Sequence, residues 1–110
     1  MKKENRVKKS QDFQNIIESK QSVGCSTLII YYKTNNLGYT RVGISCGKKL
    51  GNAVIRNRTK RQIREIIDKC IDYSLARDLI VIVRNKFLEQ DYENNLKDLK
   101  YLLDKINKKF

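Results

Sequence analysis

The stretch YTRVGISCGKKLGNAVIRNRTKRQIREI, residues 39–66, decides the fold because its pattern changes from strand to helix. Residues 39–45 alternate in character, as the residues of a half-buried β-strand do. From Ala53 to about Tyr73 the apolar residues instead recur at helical spacing, which predicts one long amphipathic helix. The predicted buried stripe of this helix consists of Ile63, Ile66, Ile67, Cys70 and Ile71. We therefore expect a strand that is followed directly by a helix packed on a sheet.

Amphipathic helices are also predicted near both ends of the chain. Ser10 is a candidate N-cap for a short helix over 11–19. A final helix is predicted over 92–108. The apolar stripes are Phe13, Ile16 and Ile17 in the first helix and Leu96, Leu99, Leu102, Leu103 and Ile106 in the second. Each stripe needs an apolar surface on which to dock.

Three segments have the composition of strands. Residues 24–33 are β-rich and are separated by the turn-rich residues 34–38 from the strand at 39–45, so we expect these two strands to form an antiparallel hairpin. The run DLIVIVR, 78–84, predicts a strand buried on both faces. No linker, repeat or low-complexity block interrupts the order α-β-β-α-β-α. The predicted fold class is α/β (α+β), a two-layer sandwich formed by one domain over residues 1–110.

The charge of the chain indicates a polyanionic partner. There are 24 Lys and Arg against 12 Asp and Glu, a formal net charge of +12. No acid occurs between Arg41 and Arg64. The basic residues of this run are Arg41, Lys48, Lys49, Arg56, Arg58, Lys60, Arg61 and Arg64. Arg56, Lys60 and Arg64 repel one another at i, i+4 spacing, so they favour a phosphate-rich partner that relieves the repulsion. The alternative interpretation is that these side chains only solvate a helix face.

The residues just before the long helix fit an anion as well. Gly47 and Gly51 flank the tripeptide KKL, so the backbone there can approach a phosphate closely. The free N–H groups of the first helical turn, near Asn52, favour a negative charge. The spacing of a nucleotide-binding P-loop is missing, so this segment alone is a weak signal.

The sequence offers little for catalysis by protein side chains. It contains no histidine, and its acids are dispersed among lysines at helical spacing, which favours solvated helix faces. Cys25, Cys46 and Cys70 fit neither zinc-ligand spacing nor a disulfide framework, so we expect free thiols. No apolar run approaches the roughly 20 residues that span a membrane, and the basic N-terminus lacks the apolar region of a secretory signal. We expect a cytoplasmic protein with no membrane partner.

The run from Arg41 to Ile66 closely resembles the signature of the protein subunit of bacterial ribonuclease P. That signature has paired lysines, a glycine, a small residue before valine, an Arg-Asn-Arg triplet, then Lys-Arg and a later Arg. The matching positions here are Lys48, Lys49, Gly51, Asn52, Ala53, Val54, Arg56, Asn57, Arg58, Lys60, Arg61 and Arg64. The segment around Phe13, the strand with Tyr31, the late strand and the closing helix also follow the family order. The resemblance therefore covers essentially the full length.

The resemblance implies an α/β sandwich with a left-handed βαβ crossover, like the second domain of a small-subunit ribosomal protein and against the usual right-handed rule. It implies an endoribonuclease holoenzyme that removes the 5′ leader of precursor tRNA, with catalysis in the RNA subunit. Mg²⁺ is expected to be held mainly by that RNA, and no cofactor by the protein alone. The implied partners are ribonuclease P RNA, in a 1:1 complex, and precursor tRNA; the free protein is expected to be a monomer.

The resemblance also assigns site residues. Those implied to bind the catalytic RNA are Lys48, Lys49, Asn52, Arg56, Asn57, Arg58, Lys60, Arg61 and Arg64. Those implied to bind the single-stranded leader, by stacking and packing on its bases, are Phe13, Ile17 and Tyr31. No residue is implied to be catalytic or to ligate a metal. Whether Asn57 contacts RNA or a hydrated metal ion is left open.

The chain departs from the family pattern in two places, and three other functional classes are alternatives. Ile17 stands where relatives often have a second aromatic residue, and Cys46-Gly47 stands in place of a Val-Ser pair. A structural RNA-binding protein of ribosomal type, with no processing role, would share the charge pattern. A peripheral membrane protein would need bulky apolar groups opposite its basic face, and a free-standing nuclease would need clustered acids.

Overall fold

The computed structural model describes residues 1–110 as a four-stranded sheet with helices on both faces. The helices are α1 (Ser10–Glu18), α2 (Ala53–Cys70), α3 (Lys86–Glu89) and α4 (Tyr92–Asn107). The strands are β1 (Ser22–Gly24), β2 (Leu28–Thr34), β3 (Arg41–Cys46) and β4 (Arg77–Val83). Short 3₁₀ turns form at Lys3–Asn5 and Lys48–Leu50. The predicted α/β (α+β) fold class is thus confirmed, with β1 and α3 as additional elements and with α1 on the face of the sheet opposite α2 and α4.

The strand order is β1-β2-β4-β3, so the predicted hairpin between β2 and β3 is wrong. β4 lies between them, antiparallel to β2 and parallel to β3. The reason is that β4 carries apolar side chains on both faces and therefore buries most surface in the centre of the sheet, as its burial confirms. The β3-α2-β4 connection joins parallel neighbours, and its left-handed sense stays the expectation from the resemblance.

Two predicted helix ends are corrected. Ser10 is not the N-cap: Lys9 holds that position with extended backbone and no capping hydrogen bond. Helix α2 ends at Cys70 rather than near Tyr73, because Ile71 is already extended, with ψ 146°. The sequence did not reveal β1, because three residues are too few to show a period.

The main core lies between the sheet and helices α2 and α4. The predicted stripe of α2 is confirmed, with Ile63, Ile66 and Ile67 buried and Cys70 and Ile71 half-buried against them. The stripe of α4 is confirmed as well: Leu99, Leu102, Leu103 and Ile106 are buried and Leu96 is half-buried. Alternate residues of β2 and β4 face this core. The residues between them point to the other face of the sheet, which α1 covers.

The second face of the sheet is covered by α1 and by an N-terminal segment, residues 3–9. Val7 and Ile16 pack there on Ile80 of β4 in a small buried cluster. The Val7 N–H donates to the carbonyl of Val42 at 3.0 Å, so the segment runs along the outer edge of β3. Helices α1 and α2 therefore lie on opposite faces, and β3 is the strand beside which both surfaces meet.

Two expectations from the sequence can be compared directly. Cys25, Cys46 and Cys70 are all free thiols, as predicted. No helix combines the length and the apolar character needed to cross a membrane.

Candidate nucleic-acid interface

The start of α2 is shaped by the two residues that precede it. Gly51 has φ +143°, and a Cβ there would lie 2.9 Å from Cδ1 of Ile55, so a side chain at this position would be strained. The Asn52 Oδ1 accepts a hydrogen bond from the Ile55 N–H at 3.1 Å. This oxygen is thus used as a helix cap, and the turn brings Lys48 and Lys49 to the end of the helix where N–H groups are free.

An exposed polar and basic surface, here called the outer face, follows from that turn along α2. Its members are Lys48, Lys49, Asn52, Asn57, Arg58 and Arg61. All are exposed, and none of the basic ones forms an ion pair. Long cations without acidic partners keep their full charge for a polyanion. The outer face therefore suits phosphate groups of a large partner.

A second line of cations on α2, here called the inner row, is formed by Arg56, Lys60 and Arg64. The three are half-buried at i, i+4 spacing, and none forms an ion pair. The Nε of Arg56 is buried without a hydrogen-bond partner. Burial raises the pKa of the nearby Cys46 thiol, and the positive charges of Lys60, Arg56 and Arg64 partly offset that rise. The inner row thus concentrates positive potential beside the end of β3.

The three residues implied to bind a single strand come together on the opposite face of the sheet. Phe13, Ile17 and Tyr31, here called the aromatic cluster, are all half-buried and pack around the Val7, Ile16 and Ile80 core. Phe13 and Ile17 come from α1, and Tyr31 comes from β2. Tyr31 is partly exposed, and its hydroxyl makes none of the structure's hydrogen bonds, so this hydroxyl is free for another partner.

Gly43 of β3 sets the depth at which Phe13 lies. A Cβ at this position would be 2.6 Å from the Cζ of Phe13 and 2.7 Å from the Cδ1 of Ile80. Real Cβ atoms do not approach other heavy atoms so closely, so Phe13 rests directly on the strand backbone. Gly43 was not among the residues predicted for the site, although a glycine inside a strand pattern indicates the close approach of another group.

One residue of the aromatic cluster and two residues of the inner row line the same hollow. Phe13, Lys60 and Arg64 line this hollow together with residues of β3. Arg6 and Lys8 of the N-terminal segment line it too. Lys60 and Arg64, which the sequence placed in one group with the cations of the outer face, therefore lie beside Phe13. The basic start of the chain could have indicated Arg6 and Lys8, but sequence offers no sign that this segment joins the sheet.

One member of the basic run is neutralised. The guanidinium of Arg41 donates to both carboxylate oxygens of Asp78, at 2.9 and 2.7 Å, and to Asp12 at 3.3 Å. The hydrogen bonds and charge of Asp78, followed by those of Asp12, raise the pKa of Arg41 against the effect of its burial. Arg41 is only 20 % exposed. Its part in the site is structural, because it ties α1 to the sheet.

The residues of this chain do not fit a metal site. No three histidine, cysteine, aspartate or glutamate side chains converge. The Mg²⁺ expected from the resemblance is therefore not assigned to any side chain, and no step is derived through it.

Comparison with known proteins agrees with the geometry. The sequence profile of the Ribonuclease P family matches residues 1–107. A ribonuclease P protein component of Mesoplasma florum is 42% identical over 105 residues, covering 94% of this chain and 96% of the relative. A structure of the Staphylococcus aureus RNase P protein superimposes with TM-score 0.79 at 38% identity and covers 91% of this chain and 93% of its own. The protein from Thermotoga maritima gives TM-score 0.80 at 28% identity, with 91% and 96% covered.

Proposed function

The chain belongs to the ribonuclease P protein family, and we propose that it binds the catalytic RNA through the outer face and the tRNA leader through the aromatic cluster. Membership makes it a protein subunit of the ribonucleoprotein that processes the 5′ ends of tRNA. What we propose is that the two RNAs are bound by two different surfaces of the chain. The observation that carries it is the single hollow shared by Phe13 and two unpaired cations of α2.

The outer face supplies phosphate contacts. Arg58 and Arg61 are exposed and unpaired, and guanidinium groups bind phosphate through paired, charge-assisted hydrogen bonds. Lys48 and Lys49 add point charges at the start of the helix. Asn57 lies on the same face and offers one acceptor and two donors. Such contacts hold RNA strongly but carry little sequence information, which suits a folded RNA of fixed shape.

The aromatic cluster supplies a different kind of contact. Unpaired bases stack on aromatic faces whatever their sequence, with about 1–3 kcal/mol per base. Phe13 and Tyr31 provide two such faces, and Ile17 provides an apolar surface that packs against a base but stacks less well. Lys60 and Arg64 lie beside Phe13, where they would neutralise the phosphates of the same strand. A leader of varied sequence fits this arrangement.

We further infer that the cutting is done by the RNA subunit. A histidine-free chain without converging acids has no evident general base of its own. In the complex, Mg²⁺ held mainly by RNA phosphates would supply the activated water. One chain per RNA, a monomeric free protein and a cytoplasmic location complete the proposal, and the net charge of +12 supports the monomer through repulsion between copies.

The test is cleavage of a leader-bearing precursor tRNA by a bacterial ribonuclease P RNA at low Mg²⁺. The reaction is run with the chain, without it, and with Arg58 and Arg61 of the outer face both changed to Ala. We expect the chain to stimulate correct 5′ processing and the double variant to stimulate it much less. RNA binding with unchanged cleavage would contradict the proposal and would indicate a structural RNA-binding protein instead.

A further inference from the structure

We infer that a hollow around Tyr39 is a second subsite for single-stranded RNA, which takes the part of the leader that passes beyond the aromatic cluster. This inference rests on the proposed function, because it extends the path of the same strand. Its support comes from other parts of the chain, namely the N-terminal segment and the loop between β2 and β3.

The hollow has an excess of free positive charge. It is an open hollow between the N-terminal segment and the start of β3. Its free cations are Lys3, Arg6, Lys8 and Lys9, none of which forms an ion pair. Two carboxylates also line it, and one of these, Asp12, is already held by Arg41, so that only Glu4 remains to oppose the lysines. Backbone phosphates are the groups that such a surface attracts.

These cations stand on a fixed scaffold. The buried side chain of Asn5 donates to the carbonyl of Thr40 at 2.8 Å, and the Val7 N–H donates to Val42 at 3.0 Å. Asn5 is only 6% exposed. The backbone that carries the basic residues on either side is therefore held along β3, so a ligand has to order only their side chains on binding.

Tyr39 is similar to Tyr31 in its surroundings. Both rings are half-buried, and the hydroxyl of neither takes part in the structure's hydrogen bonds. By contrast, the hydroxyl of Tyr73 donates to Asp68 at 2.5 Å, and that of Tyr92 accepts from Lys69 at 2.7 Å. Tyr39 thus joins an aromatic face to free cations, which is the combination that binds single strands.

The two hollows adjoin each other along the N-terminal segment. Arg6 and Lys8 line both of them, and the adjacent residues Asp12 and Phe13 line one each. Phe13 rests on Gly43. Tyr39 precedes Gly43 by four residues, so the backbone of Tyr39 is at most about 14 Å from that of Gly43. A single strand that leaves Phe13 along the N-terminal segment reaches Tyr39 within a few nucleotides.

The experiment measures the Kd of the complex between ribonuclease P RNA and the full chain for precursor tRNAs whose leaders are lengthened one nucleotide at a time. The variants are Tyr39→Ala and Tyr39→Phe, which keeps the ring. Tyr101→Ala is the matched control, since Tyr101 is 53% exposed on α4. Melting curves establish that each variant is folded.

We expect Tyr39→Ala to lose about fivefold or more in affinity for long leaders only, the lower end of the effect of one stacked base. Tyr39→Phe and the Tyr101 control should follow the natural chain at every length. Equal affinities of Tyr39→Ala and the natural chain for every leader would overturn the inference. An equal loss with leaderless tRNA would overturn it too, because the hollow would then bind the RNA subunit.

The same series separates this inference from the function on which it rests. Phe13→Ala should weaken binding of short and long leaders alike. If Phe13→Ala does so and Tyr39→Ala has no effect, the second subsite alone is wrong. If no variant and no leader length changes the affinity, the leader-binding role of the aromatic cluster is wrong as well.

Discussion

The outer face and the aromatic cluster, both proposed to bind RNA, are built in opposite ways. Apart from Asn52, which caps α2, the side chains of the outer face project into solvent and support no packing. The aromatic cluster is half-buried and rests on Gly43, Ile80 and the N-terminal segment. Binding and stability are therefore separable on the outer face and coupled in the cluster. Substitutions should reveal this difference directly.

The largest effect is expected where a cation of the basic run serves the fold instead of RNA. Asp78→Ala should lower the free energy of unfolding by about 3 kcal/mol, because it leaves the largely buried Arg41 with only the longer contact to Asp12. Urea unfolding measures this. Asp91→Ala, at an exposed helix cap, is the control and should cost about 1 kcal/mol. An equal loss in both variants would contradict the structural role of Arg41.

Gly43→Ala should have the next largest effect and should act on both stability and binding. The added methyl group collides with Phe13 and Ile80, so we expect a loss of about 2 kcal/mol in stability, in the usual range for overpacking. Displacement of Phe13 should also weaken leader binding. Gly47→Ala is the matched control, since nothing lies within 4 Å of its added Cβ. Unfolding and leader-dependent affinity are measured on both, and equal behaviour would show that Phe13 does not depend on Gly43.

On the outer face the effect should fall on binding alone. Arg58→Ala combined with Arg61→Ala should weaken binding to ribonuclease P RNA and lower the slope of log affinity against log salt by about 1 to 2, because each phosphate contact releases counterions. The melting temperature of the free chain should be unchanged. Lys97→Ala combined with Lys100→Ala removes the same charge from the exposed side of α4. The idea fails if this control changes the slope by the same amount.

The smallest effect concerns the inner row between the two surfaces. Burial raises the pKa of the Cys46 thiol, so the unfolded chain loses this proton first, and stability should fall as pH rises past the usual thiol pKa of about 8.5. Lys60→Gln should raise the pKa of Cys46 further, because Lys60 favours the thiolate. The pH dependence of alkylation at Cys46 measures the shift, with Cys46→Val as the blank. An unchanged profile in Lys60→Gln would show that the inner row exerts no field there.

The elements that could be predicted from the sequence are those fixed by local pattern. The stripes of α2 and α4 follow from helical spacing, and the double burial of β4 follows from its continuous apolar run. The strand order could not be predicted so simply, because a turn between β2 and β3 looks the same whether or not a later strand inserts between them. The same holds for the N-terminal segment, which is fixed by Asn5 and Val7 through contacts to residues more than thirty positions away.

The site residues, too, could be predicted only in part from the sequence. The motif residues and the aromatic residues were identified from the resemblance, and the structure brings Phe13, Ile17 and Tyr31 together. Lys60 and Arg64 lie beside Phe13, whereas Arg58 and Arg61 point to solvent. This difference depends on how α2 packs against the edge of β3. Spacing alone placed all of them in one group.

The central claim, that the two surfaces bind different RNAs, is tested most directly by crossing two variants with two binding measurements. Tyr31→Ala and the Arg58→Ala, Arg61→Ala double variant are each assayed for affinity to ribonuclease P RNA and, in the assembled complex, for the gain in precursor tRNA affinity that the leader provides. We predict that the arginine variant loses only the first and the tyrosine variant only the second. Loss of both affinities in both variants would contradict the account, since one continuous surface would then bind one RNA.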